Sequence, residues 1–135
     1  MVILQVPKTI INNLHKKLSS TKNIIISEEV YSYLLNHHNP KVAAKIIRNI
    51  ILLDEFGLNL PVEYIHRIWA SKEKLWELRT KFSNNAERTL FFTVHEGKFL
   101  LTNCFRKDTD DVPKNEIRKA KKNPQGILKI QGVII

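Results

Sequence analysis

Three observations predict an α+β fold for this chain, with N-terminal helices packed on a twisted antiparallel β-sheet and a C-terminal helix. Val42, Ala43, Ile46, Ile47, Ile50 and Leu53 recur at the spacing of one broad helical face. Residues 75–81, 88–95 and 98–105 have strand character and are bounded by turn residues. Pro113 then opens a stretch in which Ile117 and Ala120 are docking positions and Arg118, Lys119, Lys121 and Lys122 form a basic side.

The elements follow in chain order. Ile10, Ile11, Leu14 and Leu18 share a helical stripe with Lys16, Lys17 and Lys22 outside it, which predicts a first helix from about residue 8. A short strand is expected at residues 23–26. Ser27 can accept a hydrogen bond from the open amides of a second helix, whose positive end favours Glu28 and Glu29, and that helix should reach about Asn36. The third helix has Asn39 as cap, Pro40 at the first helical position and Gly57 just past the end. Its apolar face is core, packed on the sheet.

After Leu60-Pro61, residues 62–69 read as a short helical piece leading into the strands. Ser83-Asn84-Asn85 marks a longer connection, whereas Glu96-Gly97 reads as a two-residue hairpin turn with glycine supplying positive φ. With that turn, His95 faces Lys98, Phe92 faces Leu101, Leu90 faces Asn103 and Arg88 faces Phe105, and Arg88 and Lys107 share a face. A three-residue turn would shift the register by one and separate them. Asp110 and Asp111 stand near the positive end of the final helix, and Pro124-Gln125-Gly126 should stop it.

A length of 135 residues fits a single domain, with residues 1–22 a helical extension and residues 124–135 an apolar tail that either packs on the chain's own core, adds a strand, or docks on a partner. Lys+Arg 22 against Asp+Glu 13 gives a net charge of +9, which favours polyanionic partners through phosphate neutralisation. The same excess also serves solubility, so charge alone does not decide. Cys104 is the only cysteine, no signal peptide is read at the start, and residues 46–53 are too short and too polar to span a bilayer. A cytoplasmic protein with no membrane partner is expected.

The five histidines lack zinc spacing, and phosphate-binding glycine loops, nucleotide fingerprints and serine elbows are missing, so no metal or cofactor is expected. Permanent cations can still promote RNA cleavage, because the ribose 2′-hydroxyl is an internal nucleophile beside the scissile phosphate. The planar donors of arginine stabilise the charge that builds at pentacoordinate phosphorus. Strand alternation puts Glu77 and Arg79 on one face of the first long strand, while Arg88 and Lys107 meet on the later pair. Arg79, Arg88 and Lys107 are therefore the catalytic candidates. Arg106, Glu77, His95, Lys98 and Lys114 are candidates for holding substrate, with His95 titrating near neutrality. Each is also readable as a solvated surface charge, and His95 at a hairpin tip as an idle one.

The run LWELR, then ERTLFF, then F-R-K-x-T-x-x-x-P-x-x-E-I-x-x-A over residues 75–120 resembles the HigB-like, phage-derived branch of the RelE/ParE toxin superfamily. Residues 30–57 resemble its preceding helical pair more loosely. That resemblance implies a compact RelE-like domain with helices on one face of an antiparallel sheet. It implies a type II toxin-antitoxin toxin: a ribosome-dependent mRNA endoribonuclease that inhibits translation, using 2′-hydroxyl attack and leaving a cyclic phosphate. A HigA-like antitoxin with a helix-turn-helix, joined in a hetero-oligomer, is the implied partner beside mRNA on the ribosome. By motif, Arg79 belongs to the E-L-R element, Arg88 to the arginine opening the next strand, and Arg106-Lys107 to the basic pair after Phe105. Two other readings stand beside it: a noncatalytic RNA- or ribosome-binding module, and an interaction protein or inactivated relative whose basic face receives an acidic antitoxin segment.

Overall fold

The computed structural model describes residues 16–71, 73–83, 85–107 and 112–130, with residue 107 and residues 123–130 described by their backbone. In chain order the elements are β1 (Ile24–Ile26), α1 (Glu28–Leu35), α2 (Pro40–Phe56), β2 (Ile65–Arg67), β3 (Leu75–Phe82), β4 (Asn85–Val94), β5 (Lys98–Lys107) and α3 (Lys114–Ile130). The strands form one sheet in the order β1-β5-β4-β3-β2. The expected meander β3-β4-β5 is antiparallel throughout, and β2 extends it antiparallel along β3. β1 joins β5 in parallel, so the sheet is mixed. The fold is α+β, compatible with a compact RelE-like domain.

Local chemistry sets the helix limits. Ser27 Oγ accepts from the Val30 amide at 3.1 Å to cap α1, and Asn39 Oδ1 accepts from the Lys41 amide at 3.1 Å to cap α2 ahead of Pro40. Gly57 ends α2 at φ 59°, where its amide returns to the Leu53 carbonyl. Asp54 then ties the end of α2 to β1, accepting from the amides of Lys22 and Asn23 at 3.0 and 2.6 Å. Of the expected first helix, residues 16–19 are described and helical, and Leu18 is buried in the core. Its earlier part lies outside the described residues, as do Asp110, Asp111 and residues 131–135 of the apolar tail.

Side chains alternate between two cores. Leu78, Phe91, Phe99 and Leu101 point to one face of the sheet, where they meet Val30 and Leu34 of α1 and Val42, Ile46, Ile50 and Leu53 of α2. Leu75, Leu90 and Phe92 point to the other, where Ile117 and Ala120 of α3 cover them. The helices therefore lie on both faces, not on one. Burial on both sides explains why β4 is almost continuously apolar in its second half.

Four local expectations are corrected. Residues 62–69 are not helical: a turn follows Pro61 and leads into β2, which pairs antiparallel with β3. The β3-β4 connection is not long, since Phe82 pairs with Asn85 and Ser83 takes φ 58° in a two-residue turn. The β4-β5 turn is His95–Gly97, three residues with Glu96 and Gly97 at φ 62° and 71°. And α3 continues through Pro124 and Gly126 to Ile130, so the lost proline N–H does not end the helix.

The three-residue turn pairs Phe92 with Leu100 instead of Leu101, which would have displaced Arg88 as well. A β-bulge between Leu90 and Phe91 on one side and Thr102 on the other restores the register, so Leu90 faces Asn103 and Arg88 faces Phe105 as expected. The bulged residue's groups are satisfied locally. Thr102 Oγ1 lies 2.7 Å from Asn103 Oδ1 and 3.3 Å from the Leu90 carbonyl, and the Thr102 carbonyl accepts from Ser27 Oγ at 2.8 Å. One serine thus caps α1 and pins the bulge.

Candidate functional site

The short strand β2 and the end of β3 build the site. Pairing of His66 with Glu77 and of Leu78 with Ile65 puts His66, Glu77 and Arg79 on the α3 side of the sheet. They line a groove of about 430 Å³ together with Arg67, Trp69 and Lys114, floored by Ile68, Val112 and Ile117. Trp69 is 82% exposed at its mouth, and the Arg67 guanidinium lies 5.1 Å from that ring and 5.7 Å from Trp76.

Glu77 organises the cations. Its Oε1 accepts from Arg79 Nε at 2.8 Å and its Oε2 from Arg88 Nη1 at 3.2 Å. Glu77 and Arg88 are buried, while the Arg79 side chain keeps 17% of its surface exposed. Arg79 lines the groove with its Nε held by Glu77, which leaves the two Nη nitrogens outside that bond, the fork that suits phosphate oxygens. Arg88 stands directly across from Arg79 in the β3-β4 register, beneath it and away from solvent. Burial pushes the His66 imidazole below the ordinary 6.5, and the Arg79 charge adds to the effect against the opposing pull of Glu77.

The remaining candidates are spread over the molecule. Lys114, at the first turn of α3, lines the groove. The Lys107 backbone pairs with Ala86 at the end of β5, and its side chain lies outside the described residues. Arg106 is not with Arg79 and Arg88: it pairs with Glu87 on the α1-α2 side of the sheet, because successive residues of a strand face opposite ways. His95 and Lys98 sit at the hairpin turn, at the other end of the sheet from Arg79, roughly 20 Å along β4 at the usual strand rise. Lys98 Nζ donates there to the Lys22 carbonyl at 3.2 Å.

Arg106 borders a different cluster, in which Glu87 accepts from Tyr33 Oη at 2.5 Å and lies 3.0 Å from His37 Nε2. The Asn39 amide donates to His37 Nδ1 at 2.9 Å, so the ring carries its proton on Nε2 and donates to Glu87. This network locks α1 and the α2 cap onto β4. Burial, followed by the bond to Glu87, pushes the Tyr33 phenol above its usual range.

Sequence reasoning missed His66, Arg67 and Trp69 as site residues. Their strand is three residues long, too short to display alternation, and follows a proline that suggested a helix start. The one usable signal was the run of His, Arg and Trp just before a strand that carries two charges on one face.

Comparison with protein families finds one model, described as phage derived protein Gp49-like (DUF891), that matches residues 34–125. The matched segment runs from the end of α1 into α3 and contains every groove residue. A search among curated proteins returns no match.

Proposed function

Because the chain belongs to the phage-derived Gp49-like family, within the RelE/ParE-like toxin group, we propose that it is the toxin of a type II toxin-antitoxin system of the HigB-like branch. It acts as a ribosome-dependent mRNA endoribonuclease. One observation supports this reading most: Arg79, Lys114 and the exposed Trp69 share one groove of about 430 Å³. The Arg79 guanidinium and Lys114 receive the scissile phosphate. Bases stack on Trp69, as they do on exposed aromatic rings of single-strand binders.

The chemistry uses the nucleophile that RNA carries. The 2′-oxygen attacks the adjacent phosphorus, charge builds on the phosphoryl oxygens, and the fixed guanidinium stabilises it. Glu77 holds Arg79 by its Nε, so the fork needs no reorganisation when the charge develops. The partner is an antitoxin, HigA-like with a helix-turn-helix, that forms a hetero-oligomer with the toxin.

A noncatalytic RNA- or ribosome-binding module is the second reading. It is favoured by the burial of Arg88 against Glu77, which leaves the groove fewer cations than the sequence promised. Inducing the chain in a bacterial host without a neighbouring gene, and mapping new mRNA 5′ ends during growth arrest, separates the two. New ends inside translated codons support the endoribonuclease. Unchanged growth with intact mRNA, from soluble folded protein, supports the binding module or an inactivated relative.

A further inference from the structure

We infer that His66 is the general base of the site, taking the proton from the ribose 2′-hydroxyl; the inference rests on the endoribonuclease reading above. A base in this groove must be unprotonated before attack, must have a free lone pair, and must lie beside the cation that binds phosphate. Glu77 does not qualify, because both of its oxygens are engaged by guanidinium donors at 2.8 and 3.2 Å. Lysine and arginine are already protonated at neutral pH. Among the described residues of the groove lining, His66 alone combines a lone pair at neutral pH with a place beside Arg79.

Its surroundings keep it in the basic form. From β3 it faces Glu77, Arg79 and Lys81, from β4 the buried Arg88, and from α3 the groove-lining Lys114. Desolvation and the nearby Arg79 charge both disfavour imidazolium, and Glu77 only partly offsets them. The pairing of His66 with Glu77 across β2 and β3 holds the ring over the same face as the Arg79 fork.

The step balances without a co-reactant. The proton of the 2′-hydroxyl passes to the imidazole as the 2′-oxygen bonds to phosphorus. The bond from phosphorus to the 5′-oxygen of the following nucleotide breaks, and that oxygen takes a proton from water. The products are a 2′,3′-cyclic phosphate and a 5′-hydroxyl, and imidazolium returns its proton to solvent.

The test uses the purified full chain with ribosomes carrying a translated mRNA, followed under single-turnover conditions with toxin in excess over ribosomes. The wild-type rate should fall on acidification with a midpoint below 6.5, the ordinary histidine value. His66→Gln should cut about 10²–10⁴-fold more slowly, lose that acid limb and still bind the ribosome. An mRNA with sulfur in place of the scissile 5′-oxygen has a leaving group that needs no proton, so the His66→Gln deficit should persist on it. Rescue by the sulfur substrate would make His66 the acid and overturn the assignment. Wild-type cutting with no acid limb would overturn it without reference to any variant's folding, as would a fast His66→Gln protein. Failure of the wild-type chain to cut would instead remove the endoribonuclease reading, and this inference with it.

Discussion

Arg88 donates through Nη1 to Glu77 Oε2 at 3.2 Å, and both side chains are almost wholly buried between β3, β4 and the groove. Arg88, a catalytic candidate by sequence, thus also has a structural part. Removing one partner of a buried pair costs about 3–5 kcal/mol, and because Glu77 keeps Arg79, Arg88→Ala should fall at the lower end of that range in chemical denaturation. Loss of toxicity in that variant would therefore report unfolding. A double replacement, Glu77→Met with Arg88→Met, should recover much of the stability while leaving the protein inactive, because Arg79 loses its Nε anchor.

Arg79→Ala gives the cleaner test of phosphate binding. Its side chain is partly exposed and its hydrogen bond to Glu77 is partly solvent-screened, so the melting transition should shift much less than for Arg88→Ala. Transition-state stabilisation by one such donor accounts for about 10²–10³ in rate, which growth arrest and 5′-end mapping would register as loss of activity. An Arg79→Ala protein that folds and cuts at the wild-type rate would remove this residue from the site.

Trp69 has almost no packing role to lose. Its replacement by alanine should change stability within about 0.5 kcal/mol, as at other exposed positions. If bases stack on it, RNA affinity should weaken by about 1–3 kcal/mol, measured by titration with short single-stranded RNA. Unaltered affinity would exclude a stacking shelf.

Stability should also carry a signature of His66. Its folded-state pKa lies below the unfolded value of 6.5, so the unfolded chain binds the proton more readily. The contribution is fully present above 6.5 and is lost as pH falls through that value towards the folded pKa. Compared across this window, wild type should lose stability relative to His66→Gln as the pH falls.

Cys104 is buried beside Thr89, whose Oγ1 lies 3.3 Å from its Sγ, and burial pushes the thiol up to about 12. Thiol reagents should label it only through opening of the fold, at a rate that follows global stability. Rapid labelling of native protein would place Cys104 at a mobile surface.

The helix limits at Ser27, Asn39 and Gly57 were legible because a cap is satisfied within a few residues of itself. The strand runs and the docking positions Ile117 and Ala120 were legible for a similar reason, since periodicity records which side chains face the core. The β2 strand was not, because its hydrogen bonds belong to β3, eleven residues away at His66 and Glu77. Nor was the route to the Arg88 register, in which a longer turn and a bulge at Thr102 cancel.

The sequence by itself determined the α+β class, the capped helices, the three long strands and the presence of cations near LWELR and FRK. Only the tertiary structure decided which cations meet solvent. It buried Arg88 on Glu77, turned Arg106 to the opposite face, left His95 and Lys98 at the far end of the sheet, and brought His66 and Lys114 to Arg79. The physical reason is that a local pattern specifies a face and a period, whereas exposure and electrostatic partners depend on strands and helices distant in the chain.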